Sequence, residues 1–501
     1  MNNQKTFTCP VLPSDSGSKR DPRIKHLIVL MLENRSFDHM LGYSGIPGVD
    51  GPSTANTNKD KSGKSWQTSP DASSSGLTDP GHDFDDVCTQ LYRSYDDKRA
   101  CSLDDMKNRD PGMQGFIRSY EDYEDRTPET IMKCFTADTV PVLTKLAREY
   151  AVCNRWFSSI PGPTLPNRLF AHAGTSKGRL DISAEELNVS PTIFEVLDCA
   201  DVPSTIYADG WTAAATFWEL MKHQDQFFGT LDDFYQDCYD DNLPGYCFLE
   251  PRYSPGVVDG TFRPQNDQHP DSDIAEGEHL IFSVYQAIRS NLKVWKSSML
   301  VIVYDEHGGT YDHVPPPPAI TPRPQDVSTD PPFNFDRYGV RVPAVIVSAY
   351  TQRAVCNDVF DHTSLIATAR KMLTGFYQDD CLGARAKVAN TFDSKTILNL
   401  DAPRTDHVSI SPPARQAKPS KPYCLNHLQI SHLKQAMLLD DKALPQNLRV
   451  RPTLKKFAAL EQDGPDSDYC NLDPVEAEHY IQSVLTTARD LGTKLHLEKL
   501  D

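Results

Sequence analysis

The sequence lacks any apolar run of about 20 residues, the length that a helix needs to cross a bilayer, and it lacks an excess of basic residues. Its 51 lysines and arginines are outnumbered by 69 aspartates and glutamates, which gives a net charge of −18. Nucleic-acid binding needs a broad basic face, so this balance argues against it. It also argues against simple electrostatic attachment to anionic lipid.

The beginning of the sequence does not predict a secretory leader, and no two cysteines have the spacing of a CxxC metal-binding pair. The first 24 residues are polar, with Pro10 and Pro13 among them, and have no apolar core of a signal peptide. We therefore expect a cytoplasmic or peripheral-membrane protein, although secretion stays open. The 12 cysteines form no CxxC pair, which argues against a zinc module. At this density in a long chain we expect free buried thiols rather than disulfides.

Two acidic pairs each follow a short apolar run. Glu33-Asn34 comes directly after residues 27–32 (LIVLML), and Asp305-Glu306 comes directly after residues 299–304 (MLVIVY). Such runs are typical of buried strands in a parallel sheet, and ligands gather beyond the carboxyl ends of those strands. Three carboxylates and one amide would then share one crevice. Like charges so close are costly unless a cation neutralises them, so the pattern predicts a bound divalent metal and an enzyme.

A single pair of this kind would also fit a plain strand-to-helix turn in which Asn34 is the cap. The second pair, which precedes Gly308-Gly309, favours the metal because two matching contexts are harder to obtain by accident. An oxygen-only donor set suits Ca²⁺, Mg²⁺ or Mn²⁺, whereas a neighbouring imidazole would leave Zn²⁺ or iron open.

Thr164 has two interpretations that the residues alone leave open. It lies in GPTLPNR, where Pro166 fits the first turn of a helix and Thr164 falls near the N-cap. As a plain cap it would stabilise the helix by about 1 kcal/mol. As a nucleophile, its alkoxide and then a phosphoryl group would be stabilised by the helix N-terminus.

Three histidines lie in polar, turn-rich settings. They are His82 in DPGHDF, His269 in DQHPDSD and His313 in YDHVPPP. Acidic, proline and glycine neighbours suit an imidazole that is fixed on a loop, and a protonated ring could bind phosphate oxygens or protonate a leaving alkoxide. His82 and His269 fit these roles, although a lone histidine is usually structural or simply exposed. We interpret His313 as structural because it follows the predicted metal turn.

Four motifs together resemble a known family. ENRSFDHMLG at 33–42, GPTLPNR at 162–168, YDEHGGTYDHVPPP at 304–317 and YGVRVPAVIVS at 338–348 occur in the order typical of the phosphoesterase family of non-specific (phosphatidylcholine-hydrolysing) phospholipases C and related acid phosphatases. The resemblance covers most of residues 24 to 375 and extends more weakly to the C-terminal helical segment. The sequence departs from the pattern slightly at His307.

The resemblance implies an α/β fold: an alkaline-phosphatase-like doubly wound sheet, in agreement with the alternation of strand-like and helix-like segments. It implies that Glu33, Asn34, Asp305 and Glu306 are the metal ligands, that Thr164 is the nucleophile, and that His82 and His269 line the phosphate pocket. We predict a polar segment at 1–23, a catalytic phosphoesterase domain at 24–400, a linker at 401–421 and a small helical region at 422–501.

The predicted function is metal-assisted hydrolysis of phospholipid phosphodiester bonds at a membrane surface. It would proceed through a phosphothreonine and release diacylglycerol and a phosphorylated head group. The nearest alternative is a phosphomonoesterase of the acid phosphatase kind with the same site, and a rival from another class is an inactive lipid-binding relative. We expect neither a nucleic-acid partner nor a transmembrane segment.

Overall fold

A central sheet of eight strands organises the chain. The computed structural model describes residues 21–97, 105–106, 109–123, 126–181, 191–258, 261–329, 331–376, 378–415, 425–442, 444–450 and 472–497. The strands are β1 His26–Leu32, β2 Thr57–Lys59, β3 Ser65–Gln67, β4 Ala151–Cys153, β5 Ser204–Ala208, β6 Phe228–Gly229, β7 Tyr246–Glu250, β8 Gly256–Val258, β9 Thr261–Arg263, β10 Ser298–Tyr304, β11 Ser328–Thr329, β12 Pro332–Phe333, β13 Ala344–Ser348 and β14 Ala354–Cys356.

Helices of very different length lie between these strands and, from residue 363 onward, after the last of them. The α-helices are α1 Phe84–Tyr92, α2 Phe116–Tyr120, α3 Pro141–Glu149, α4 Thr164–Ala173, α5 Ile193–Asp198, α6 Trp218–Lys222, α7 Gln224–Phe227, α8 Leu231–Asp240, α9 Ile274–Ser290, α10 Leu292–Ser297, α11 Thr363–Thr374, α12 Gly383–Val388, α13 His427–Lys442 and α14 Pro474–Leu497. Single turns of other helix types occupy Asp38–Gly42, Pro128–Met132, Ala213–Thr216 and Gln446–Leu448.

The strand order in the large sheet is β14-β4-β13-β10-β1-β7-β5-β6. The two strands that precede the acidic pairs, β1 and β10, are neighbours and run parallel, with His26 opposite Ser298 and Leu32 opposite Tyr304. β7 lies on the other side of β1 and is also parallel to it. The α/β fold that was predicted from the sequence is therefore confirmed, and the two predicted strand ends lie side by side.

One strand departs from the predicted parallel arrangement. β13 pairs antiparallel with both β10 and β4, while the other seven strands of this sheet point the same way. In the described part of residues 305–343 there is no helix to carry the chain back to the opposite edge. The chain therefore enters β13 from the edge at which β10 ended, and β13 must run in the reverse direction.

Both faces of the sheet are covered. Residues 27 to 32 of β1 are each 0% exposed, and successive side chains of a strand point to opposite faces. Helices α3, α8 and α9 pack together in one group, and α4, α5 and α11 pack together in another. This two-layer cover explains why β1 and β10 are apolar at every position and do not alternate.

The last two described helices form an apolar cluster of their own. α13 and α14 pack against each other, and their apolar side chains surround Trp211 and Met221. The Trp211 indole N–H donates to Gln435 Oε1 of α13 at 2.9 Å. The predicted domain boundaries remain predictions, and residues 1–20 and 416–424, which contain parts of the N-terminal segment and of the linker, lie outside the described residues.

The prediction of free thiols is only partly correct. Cys134, Cys153, Cys238, Cys247, Cys356 and Cys381 are free. Cys88 and Cys199 are disulfide-bonded. Spacing along the chain could not reveal this, because pairing depends on which cysteines the fold brings together. Among the described helices, none combines the length and the apolarity that a membrane crossing requires.

Candidate active site

Three neighbouring strands end in carboxylates at the same edge of the sheet. Glu33 follows β1, Asp305 and Glu306 follow β10, and Glu250 is the last residue of β7. All four side chains are fully buried. Because parallel strands end at one edge, these residues share a crevice that is shielded from water.

Backbone contacts hold the two predicted pairs together. The Asn34 N–H donates to Asp305 Oδ1 at 3.0 Å, and the Arg35 N–H donates to the Glu306 carbonyl at 3.0 Å. Asn34 has a φ of 55°, a left-handed conformation that asparagine tolerates better than most residues. The chain therefore turns sharply after β1 and brings the Asn34 side chain into the crevice.

Two glycines allow a third segment to reach this point. A Cβ atom on Gly308 would lie 2.1 Å from the Asn34 carbonyl oxygen, and one on Gly309 would lie 2.5 Å from the Gly81 carbonyl oxygen. Both glycines also have a positive φ. The turn after Asp305-Glu306 is therefore packed directly against the end of β1 and against the loop that carries His82.

Thr164 begins α4, and its hydroxyl does not cap the helix. The N-cap is Pro163, and no side chain makes a capping bond there. Thr164 Oγ1 lies instead 3.3 Å from Glu33 Oε2 and 3.2 Å from Asn34 Oδ1. The alternative of a plain cap is therefore wrong, because the hydroxyl faces the carboxylate crevice.

Arg168 lies one turn further along α4 and enters the same crevice. Its guanidinium is 2.9 Å from Glu33, 2.5 Å from Glu250 and 3.4 Å from Asp305. Burial alone would lower the pKa of this group, but the carboxylates around it, Glu33 first, raise it. Carboxylates this close together need a cation to neutralise them, and the Arg168 guanidinium supplies one positive charge.

The single positive charge of Arg168 cannot neutralise four carboxylates, and some of their oxygen atoms lack a hydrogen bond. Among the described residues, Asp305 Oδ2 and Glu306 Oε1 are buried without a hydrogen-bond partner, although Asp305 Oδ2 is the oxygen that forms the 3.4 Å ion pair with Arg168. Burial, against the attraction of Arg168, raises the pKa of Glu33 well above its usual range. Buried oxygens of this kind are costly unless a further cation binds them. The residues present therefore fit a hard divalent metal, which Glu33, Asn34, Asp305 and Glu306 would hold.

His82 borders the crevice on the side of Asn34. Its Nδ1 lies 2.8 Å from the Pro80 carbonyl oxygen, and its Nε2 lies 3.4 Å from Asn34 Nδ2. Burial opposes protonation of the ring, but nearby carboxylates, Glu306 first among them, raise its pKa to about 9. A protonated ring points an N–H into the crevice, where a phosphate oxygen can accept it.

His269 lies beside His82, with the two ring centroids 6.4 Å apart. Its Nδ1 contacts Asp271 Oδ1 at 2.7 Å, while its Nε2 is buried without a hydrogen-bond partner among the described residues. Burial opposes protonation, but Asp79 and Asp271 outweigh it and raise the pKa to about 10. Asn426, just before α13, donates to Asp271 Oδ2 at 3.0 Å. The two carboxylates therefore favour the protonated form of the ring, and Asp271 fixes its orientation.

A second cluster of acidic side chains lies near the site, but an arginine side chain already neutralises it. Asp38, Asp312 and His313 lie close enough together to suggest a metal site. The Arg341 guanidinium, however, is 2.7 Å from Asp38 Oδ1 and 3.1 Å from Asp312 Oδ1. His313 Nδ1 contacts Asp38 at 2.7 Å, and its Nε2 contacts Asp50 at 3.2 Å. This group is an ion-pair cluster, in keeping with the structural role assigned to His313.

The sequence reasoning missed Glu250, Arg168 and Asp271. Glu250 carried the same signal as the two predicted pairs, since the run YCFLE is apolar until it ends in a carboxylate. Arg168 follows Thr164 by four residues, a spacing that places both on one face of a helix. Asp271 stands two residues after His269, but nothing local shows that its side chain turns back to the ring.

Comparison with known proteins shows the family of the chain. Residues 24–373 match the model of the Phosphoesterase family. The chain belongs to that family. It is 34% identical to the non-specific phospholipase C3 of Arabidopsis thaliana over 417 residues, which are 78% of this chain and 76% of the relative. It is also 34% identical to the non-specific phospholipase C6 of the same plant over 463 residues, which are 86% and 85% of the two chains.

The family extends to bacteria, and solved structures align at low similarity. The non-hemolytic phospholipase C of Burkholderia pseudomallei is 28% identical over 413 residues, 70% of this chain and 55% of that protein. An alkaline phosphatase superfamily protein from Vibrio parahaemolyticus aligns at 11% identity and a TM-score of 0.32, over 50% of this chain and 65% of the other. The fold assignment depends on the strand order and not on this alignment. Family membership makes the protein a phosphoester hydrolase.

The close approach at Gly308 predicts a large effect of one added methyl group. Gly308→Ala should lower the free energy of unfolding by more than about 3 kcal/mol, because the Asn34 backbone must move. Gly76→Ala is the matched control, since Gly76 also has a positive φ but nothing within 4 Å of an added Cβ. It should cost about 1 kcal/mol from the left-handed conformation alone. Urea unfolding of both variants decides the matter, and equal losses would contradict the packing described here.

Proposed function

We propose that this phosphoesterase is a phospholipase C that cleaves the phosphodiester of a phospholipid on the glycerol side, through a phosphothreonine on Thr164. The observation that carries the proposal is the Thr164 hydroxyl, which is turned away from the helix cap toward Glu33 and Asn34. The names of the relatives, non-specific phospholipases C, support the substrate class. The enzyme would act at a membrane surface as a peripheral protein.

The first displacement transfers the phosphoryl group to the protein. Thr164 Oγ forms a bond to phosphorus as the bond from phosphorus to the diacylglycerol oxygen breaks. The hydroxyl proton passes to Glu33 Oε2, the acceptor 3.3 Å away. His269 gives the proton on its Nε2 to the departing oxygen, so that diacylglycerol leaves as a neutral alcohol.

The second displacement releases the head group. A water oxygen forms a bond to phosphorus as the bond to Thr164 Oγ breaks, and the product is the phosphorylated head group. His269, which lost its proton in the first step, takes one from the water, and Glu33 returns its proton to Thr164. Both residues then have their starting protonation states.

Charge stabilisation comes from several sources around the phosphorus. A divalent metal held by Glu33, Asn34, Asp305 and Glu306 would supply Lewis-acid stabilisation of a phosphoryl oxygen and of the Thr164 alkoxide. The start of α4 adds its helix dipole and free N–H groups. A protonated His82 donates to a further phosphoryl oxygen.

The proposed domain organisation assigns chemistry to residues 24–400 and leaves residues 422–501 as a helical region. Every residue to which we give a chemical step lies between Glu33 and Glu306. The helical region reaches the site through Asn426, which contacts the Asp271 carboxylate beside His269. The segment 401–421 would connect the two.

The nucleophile predicts a graded series of variants. With phosphatidylcholine vesicles, the wild type should release diacylglycerol and phosphocholine, and a chelator should stop the reaction. Thr164→Ser should keep activity because the hydroxyl remains, and Thr164→Val, which is nearly isosteric, should lose about 10⁴-fold or more in kcat. Acid quenching during turnover should trap phosphate on Thr164. An active Thr164→Val protein, or a wild type inert toward phosphatidylcholine, would overturn the proposal.

If His269 is the proton donor, the activity lost on its removal should depend on the leaving group of the substrate. Diacylglycerol must be protonated as it leaves, whereas nitrophenolate is stable as an anion. His269→Ala should therefore lose about 10²-fold more activity on phospholipid than on a nitrophenyl phosphodiester. His82→Ala is the control, because a residue that only binds phosphate should reduce both activities alike. Equal losses on both substrates for His269→Ala would leave it as a second phosphate-binding residue.

A further inference from the structure

A carboxylate that the proposed chemistry does not use lies between the two site histidines. Asp79 Oδ1 is 3.5 Å from His269 Nε2 and 3.8 Å from His82 Nδ1. This oxygen atom is buried and has no hydrogen-bond partner among the described residues. The side chain as a whole is 22% exposed, so it stands at the inner rim of the site and not on the open surface.

The loop that carries Asp79 is fixed through its backbone. Arg126 donates to the Thr78 carbonyl at 2.5 Å and to the Asp79 carbonyl at 2.9 Å. The next residues, Pro80 and Gly81, pack against Gly309 in the turn after β10. The Arg126 guanidinium thus binds backbone carbonyls. The Asp79 carboxylate faces the imidazole rings of His82 and His269 instead.

The charge partners of Asp79 are the same groups that would receive the phosphate. Within the described ranges, the basic side chains at ion-pair distance from its carboxylate are the imidazoles of His82 and His269. A phosphate group that binds these rings therefore shares them with a negative charge already present. Each additional negative charge on the substrate meets that repulsion in a site largely shielded from water and salt.

We propose that Asp79 selects phosphodiesters over phosphomonoesters by opposing the second negative charge of a monoester. The proposal rests on the phospholipase function argued above and assigns the substrate charge that the same site accepts. A phosphodiester carries one negative charge, whereas a monoester carries about 1.5 to 2 near neutral pH. The esterified oxygen of a diester has no charge to be repelled.

The test compares two substrates with the same leaving group, nitrophenyl phosphate and methyl nitrophenyl phosphate. Nitrophenolate leaves without a proton, so a change in how His269 is held affects neither substrate selectively. Asp79→Asn should raise kcat/KM for the monoester relative to the diester by about tenfold or more, and Asp79→Glu should keep the wild-type ratio. Asp85→Asn is the control, because it removes the same charge from an exposed position six residues away.

Binding of inorganic phosphate gives a second reading that does not need turnover. By calorimetry, Asp79→Asn should tighten phosphate binding relative to wild type by about tenfold at about pH 8, where the ion is largely divalent, and clearly less at about pH 5. An unchanged substrate ratio, or equal effects at both pH values, would overturn the inference and leave Asp79 as a positioning residue for His269. If the wild type hydrolyses neither of these small esters, the calorimetry decides the role of Asp79. The proposed function itself fails only if the wild type is inert toward phosphatidylcholine.

Discussion

The site depends on one buried guanidinium. Arg168 binds carboxylates at the ends of β1, β7 and β10. Its positive charge offsets the repulsion between acidic residues that lie side by side at the ends of these three strands. Removing one partner of such a buried ion pair typically costs about 3–5 kcal/mol, so α4 is held firmly at this edge. Thr164 lies four residues before Arg168 on the same helix face. The contact that compensates the buried charge therefore also aims the hydroxyl at Glu33 and Asn34.

The histidines depend on longer-range support. Arg35, which directly follows Asn34, donates to the Gln268 carbonyl at 2.7 Å and to the His269 carbonyl at 3.2 Å. The loop of His82 is held by the turn at Gly309, across which a side chain would not fit. The proposed metal ligands and the two histidines are thus held by the same two strand ends, and a displacement of either end would affect both groups.

Residue patterns predicted the part of the site that strands create. An apolar run followed by carboxylates marked the ends of β1 and β10, and their adjacency followed from parallel pairing. The same pattern before Glu250 was missed because that run is only four residues long. The direction of β13, the ion pairs of Arg168 and the contact of Asp79 with His269 depend on how distant segments pack, which no local pattern records. The family resemblance supplied roles for His82 and His269 that spacing alone did not.

The central claim is that Glu33, Asn34, Asp305 and Glu306 hold a divalent metal beside the Arg168 guanidinium. Its most direct measurement is calorimetric titration of the metal-stripped protein with Ca²⁺, Mg²⁺ and Mn²⁺, together with the metal content of the protein as purified. The account predicts one site per chain for at least one of these ions, and at least about tenfold weaker binding in Asp305→Asn, which loses one buried charged donor. No binding by the wild type, or undiminished binding by Asp305→Asn, would contradict it.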